Sequence, residues 1–143
     1  MIVVDTTVLV YAVGTEHPYR EPCRSLVQAV RDGRVRATTT VEVVQEFTHV
    51  RARRRGREDA ASLALDVVDT FSPLLRVDEN DLRTGIAIYR SSGRLGSFEA
   101  ILAATAVNAG ADGLVSADKA FGDVAGLRHV VPDIDAVQAL IGG

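Results

Sequence analysis

Tryptophan is absent from these 143 residues, and aromatics supply only 5% of the chain. A core here must be built from Val, Leu, Ile and Ala, which a hydrophobic content of 47% readily provides. There is a single cysteine, Cys23, which excludes an internal disulfide and fits a reducing compartment. Lysine is nearly missing: fifteen Arg stand against Lys119 alone. The net charge of -3 gives no bulk argument for nucleic acid. No apolar run approaches the roughly 18 residues of a membrane span. The opening MIVVDTT lacks a positive leader and is interrupted by Asp5, which argues against a signal peptide. The expectation is a cytoplasmic protein without a membrane segment. With no repeat, low-complexity stretch or linker, residues 1–143 read as one domain.

Short β-branched runs alternate with helical patterns. IVV (2–4) reads as a buried strand, followed by a helical turn after Asp5 and a loop over 14–18. The spacing predicts a helix over 22–31, with Cys23, Leu26, Val27 and Val30 inward and Gly33 as its stop. Residues 35–38 read as a second strand. Thr39-Thr40-Val41-Glu42 matches a capping box that opens a helix ending in RARRRGR. A helix over 58–71 turns Ala61, Ala64, Leu65 and Val68 inward, and LLRV (74–77) is a third strand. A helix over 79–90 buries Leu82, Ile86 and Tyr89. The segment 98–108 is a nearly all-apolar helix, capped by Gly110. Strands at 113–116 and 129–131 and a tail helix over 134–141 complete the pattern. Such alternation implies an α/β sandwich with a mostly parallel central sheet.

Four acids punctuate the apolar elements: Asp5, Glu42, Glu99 and Asp118. A carboxylate beside a hydrophobic element is costly when buried and unpaired. Asp5 and Asp118 each follow a strand, where ligand sites of parallel sheets lie. The competing reading is that each merely caps the next turn. Glu42 competes with its capping box, and Glu46 lies one turn later on the same face; Glu42 is the favoured of the two. Glu99 opens the apolar helix, where the helix dipole already favours an acid. Ser116 and Thr6 add hydroxyls beside the strand ends. Converging carboxylates suit a hard cation, Mg²⁺ or Mn²⁺, which activates water and offsets the charge of a phosphodiester. His17, His49 and His129 are isolated, so zinc spacing is missing.

Together these motifs carry a family resemblance. IVVDTTVLVY, the TTVEVVQE helix, GSFEAILAATA and LVSADKAF, in this order and spacing, resemble the PIN domain, and within it the VapC toxins of toxin–antitoxin pairs. The resemblance implies a three-layer α/β/α sandwich and an Mg²⁺- or Mn²⁺-dependent endoribonuclease. It implies an RNA substrate, a homodimer and neutralisation by a VapB-type antitoxin. By motif, Asp5, Glu42, Glu99 and Asp118 would be the metal-binding acids, and Ser116 the small hydroxyl residue before the last. Two positions depart from the pattern. The third acid is usually Asp, and Glu99 sets its carboxylate about 1.5 Å further out, where about 1 Å can cost ~10²-fold in rate. Thr7 stands where Asn or Ser is common.

Arg51, Arg53, Arg54, Arg55 and Arg57 cluster behind the Glu42 helix and could grip an RNA backbone or an acidic partner. The competing reading is a solvated helix end that complements the C-terminal dipole. Val10, Tyr11 and Val13 read as core packing before a partner groove. Two other functions stay open. One is a PIN-like binding module weakened by Glu99. The other is a phosphatase of the haloacid-dehalogenase type, which wants a second Asp where this chain has Thr7.

Overall fold

Ile2–Val4 forms β1, fully buried, and the chain then turns into α1 (Thr6–Ala12). The computed structural model describes residues 1–143. After α2 (Arg20–Arg31) come β2 (Ala37–Thr38), α3 (Val41–Arg55), α4 (Arg57–Phe71), α5 (Glu79–Ser91) and α6 (Ser97–Asn108). The chain ends with β3 (Gly113–Val115), a 3-10 turn at Lys119–Asp123, β4 (His129–Val130) and α7 (Ile134–Gly142). The four strands are all parallel, in the order β2-β1-β3-β4. Seven helices flank them, in the expected α/β/α arrangement. Helix α5 packs on α6, while α1, α2, α3, α4 and α7 pack among themselves. One hydrophobic cluster of 26 buried residues runs from Ile2 to Val137.

The register places the site. Val4 pairs with Val115, and the Asp5 amide donates to the Val115 carbonyl at 3.0 Å. Both central strands therefore end at the same level, which brings the residues after them, Asp5 and Ser116, side by side.

Four sequence expectations need correction. The strand at 74–77 shrinks to a single parallel bridge between Leu75 and Thr40. It follows Pro73, which has no amide to donate, and departs at once toward the Asp78 cap of α5. The capping box at Thr39 does not form. Thr40 is the N-cap of α3 and accepts from the Val43 amide at 3.1 Å, while Thr39 is fully buried and donates to the Val4 carbonyl at 2.7 Å. A true capping box links Asp78 and Asp81 at the start of α5.

The other two corrections concern helix phase. In α4 the buried face is Ala60, Ala64, Val67 and Phe71; Leu65 is 66% exposed. Both stripes have helical spacing, and only the one carrying Phe71 has an aromatic side chain to bury. In α5, Leu82, Ile86 and Tyr89 face solvent, and Asp81 and Gly85 face inward. Gly85 explains the rotation: a Cβ there would lie 2.7 Å from the Ile101 Cα. The missing side chain lets α5 lie directly on the backbone of α6. Asp81 is buried because its carboxylate is used twice, accepting from the Asp78 amide and from Asn108 Nδ2.

Candidate active site

The site grows from the paired strand ends. Asp5 is only 6% exposed, and its Oδ2 accepts from Ser116 Oγ at 2.7 Å and Thr7 Oγ1 at 3.0 Å. The Thr7 amide adds a longer contact of 3.5 Å. Ser116 Oγ in turn accepts from the Asp118 amide, and Thr7 Oγ1 from the Ala117 amide, both at 3.0 Å. These bonds tie the two strand ends together and fill one carboxylate oxygen of Asp5. None of them uses Oδ1. A buried carboxylate held this way is oriented before any ligand arrives.

Three acids share one location. Asp5, Glu46 and Glu99 line both of two adjoining clefts. The first, about 390 Å³, also contains Glu42, with Val43, Leu82, Phe98 and Leu102 on its walls. The second, about 400 Å³, contains Asp118 and Arg54. Glu42 and Asp118 thus flank the shared trio on opposite sides. Glu46, which ranked behind Glu42 in the sequence, lies nearer the centre. Burial, and then the charges of Asp5 and Glu99, hold its carboxyl above the usual range; the Thr6 hydroxyl acts in the opposite sense. Glu42 and Glu46 are four residues apart, so both lie along one helix face and periodicity does not separate them. Glu46 feels the charges of Asp5 and Glu99 and lines both clefts, whereas Glu42 lines only the first of the two.

Glu99 follows a helix start with no side-chain cap, and its Oε2 folds back over Gly96. A side chain at Gly96 would collide with that oxygen. Asp118 is half-buried, and its Oδ1 accepts from the Ala120 amide at 3.0 Å. It therefore does cap the following turn, while still lining the second cleft. Thr6 Oγ1 is buried and lies toward the Glu46 carboxylate without closing a hydrogen bond to it. A buried hydroxyl that stops short of its neighbouring carboxylate is a place for a bridging water.

The donor set is all oxygen, as a hard cation requires. No group of three or more Asp, Glu, His or Cys side chains lies close enough together to hold a metal ion as it stands. Mg²⁺ keeps several of its waters and needs one or two carboxylates, so a pair of these acids would be enough to hold it.

The arginine cluster divides. Arg51 is largely buried, pairs with Asp59 through Nε at 2.5 Å and donates to the Val13 carbonyl at 3.0 Å. It braces α3 against α4 and the end of α1. Arg53, Arg54, Arg55 and Arg57 are exposed; Arg54 faces the acids, and Arg53 and Arg57 line a separate groove with His49. No helix is long and apolar enough to cross a membrane.

Residues 2–127 match the PIN domain. The chain is 49% identical to Ribonuclease VapC7 of Mycobacterium tuberculosis, over 99% of both chains. It is 28% identical to Ribonuclease VapC13 of the same organism, over 91% of this chain and 99% of that one. Among solved structures, FitAcB from Neisseria gonorrhoeae superimposes with a TM-score of 0.72 at 15% identity, covering 92% of this chain and 98% of the other. VapBC2 from Rickettsia felis, solved bound to a promoter DNA fragment, gives 0.69 at 14%, covering 90% and 97%. Those two likenesses speak to the fold, and the sequence matches to the family. The chain belongs to the PIN-domain family and, within it, to the VapC ribonucleases.

Proposed function

We propose that this protein is a metal-dependent endoribonuclease, the toxin of a toxin–antitoxin pair restrained by a VapB-type antitoxin. Its family membership supports the nuclease activity and the antitoxin. The observation that carries the metal reading is that Asp5, Glu46 and Glu99 line both of the adjoining clefts, with Thr6 beside them. An Mg²⁺ or Mn²⁺ ion bound there would supply an activated water and offset negative charge on the phosphate.

Asp5, Glu46 and Glu99 would hold the ion, with Glu42 and Asp118 at the two edges of the site. Ser116 and Thr7 hold Asp5 by Oδ2 and leave Oδ1 for the ligand. Thr6 has a hydroxyl to offer a bound water. Arg54 supplies positive charge beside the acids, where an RNA phosphate would otherwise meet only carboxylates. A homodimer in the cytoplasm is part of the same proposal.

The test is incubation with single-stranded RNA and, separately, with a phosphomonoester, with and without Mg²⁺ or Mn²⁺. RNA cleavage that requires metal and vanishes in Asp5→Asn is the expected result. Turnover of the phosphomonoester alone would point to the haloacid-dehalogenase chemistry instead. The weakened-module reading rests on Glu99, whose carboxylate lies over Gly96. A Glu99→Asp protein that cleaves no faster than the parent removes that reading's support.

A further inference from the structure

We propose that Tyr11 and His17 form a stacking platform for an unpaired nucleobase, next to the phosphate that lies over the acids. The proposal rests on the endoribonuclease reading and adds a base-binding subsite to it.

Aromatic residues are scarce in this chain: four Phe and three Tyr. Phe47, Phe71 and Phe121 are consumed by the core. Two of the three tyrosines nevertheless gather around one exposed imidazole. The rings of Tyr11 and His17 lie 4.3 Å apart at 32°, close to a stacked pair. Tyr19 stands edge-on to Tyr11 at 5.6 Å and to His17 at 5.1 Å. The Tyr19 amide donates to His17 Nδ1 at 3.0 Å and so fixes the ring. With Nδ1 accepting, the neutral imidazole carries its proton on Nε2, a donor for the edge of a base. Core packing accounts for Tyr11, which is half-buried against the core cluster. It does not account for His17, which is exposed and yet held from two sides.

The placement points to nucleic acid. Tyr11 and His17 line the same cleft of about 400 Å³ as Asp5, Glu46, Asp118 and Arg54. Asp5 caps the start of α1 and Tyr11 lies in its last turn, six residues on, or about 9 Å along the axis. An acidic centre, a guanidinium and an aromatic shelf in one cleft match the parts of a nucleotide: phosphate beside cation, base on ring. Arg54 enters no ion pair within the protein, so its charge remains free for a phosphate.

The probe is a short single-stranded RNA carrying one 2-aminopurine, with a matched set in which each position in turn is abasic. Binding is read by fluorescence with the wild-type protein in Ca²⁺, and cleavage in Mg²⁺. Stacking should quench the 2-aminopurine at one register, and an abasic site there should weaken binding about 5- to 150-fold. His17→Ala should lose the quench and raise KM more than it lowers kcat. Tyr11→Phe should keep it, since the ring remains. Thermal melting confirms that each variant is folded, and the abasic series needs no variant at all. RNA that is cleaved with unchanged KM whichever base is missing would overturn the platform and leave the nuclease standing. No cleavage of any RNA with any metal would overturn the nuclease reading, and the platform with it.

Discussion

Replacing Ser116 by Ala removes one oxygen atom and cuts two bonds at the centre of the site. Ser116 is fully buried. Its hydroxyl donates to Asp5 Oδ2 at 2.7 Å and accepts from the Asp118 amide at 3.0 Å. A hydrogen bond to a charged group contributes about 1.5–3 kcal/mol, and an amide left unpaired away from water costs about 1–3 kcal/mol more. Thr7 Oγ1 lies 3.3 Å from Ser116 Oγ and still donates to Asp5, so part of the loss is recovered. A net destabilisation of about 2–3 kcal/mol is expected. For a chain of this length the unfolding entropy is about 0.3 kcal/mol/K, so Tm should fall about 7–10 °C. Calorimetry measures the loss, and a cycle with Asp5→Asn measures how much passes through the carboxylate. Coupling of about 1 kcal/mol or more is expected between groups in contact. A Ser116→Ala protein that melts within a degree of the parent, with additive effects in the cycle, would refute this account of how Asp5 is held.

Glu46→Gln should abolish most metal-dependent cleavage and weaken Mn²⁺ binding measured by calorimetry, while Glu42→Gln does so less; the reverse ranking would return Glu42 to the centre. The Glu46 carboxyl is held above its usual range by burial and by Asp5 and Glu99. Its proton-bound form is therefore favoured by folding, and that contribution is lost as pH rises through the raised value. Metal-free protein should melt higher in mild acid than at neutral pH, and Glu46→Gln should flatten that slope. Burial pushes the Cys23 thiol up to about 12 from an ordinary 9.0. Folding then favours the neutral thiol fully below the ordinary value and loses that advantage as pH rises toward the folded one. Mass spectrometry should find Cys23 unlabelled by iodoacetamide in native protein and labelled in urea. Gly85→Ala places a Cβ against Ile101 and should cost about 1–3 kcal/mol in denaturant unfolding. An unchanged midpoint would mean that α5 and α6 separate without cost.

The sequence by itself determined the architecture and the two strand-end acids. A three-residue β-branched run followed by Asp5, and another followed by Ser116 and Asp118, is a local pattern. Parallel pairing in register then puts both ends at one level. The family, too, was legible, because its motifs lie in short segments whose order survives in the chain. What only the tertiary structure decided is helix phase and reach. Leu82, Ile86 and Tyr89 have the spacing of a core stripe, yet Gly85 turns the helix so that they face solvent. Glu42 and Glu46 share a face, and only the folded structure sets Glu46 where it feels the charges of Asp5 and Glu99. His17 was an isolated residue in a loop until folding set it on Tyr11. Periodicity records which side chains lie along one line of a helix. Which line faces inward depends on the volumes and backbones that meet it, and those come from segments far away in the chain.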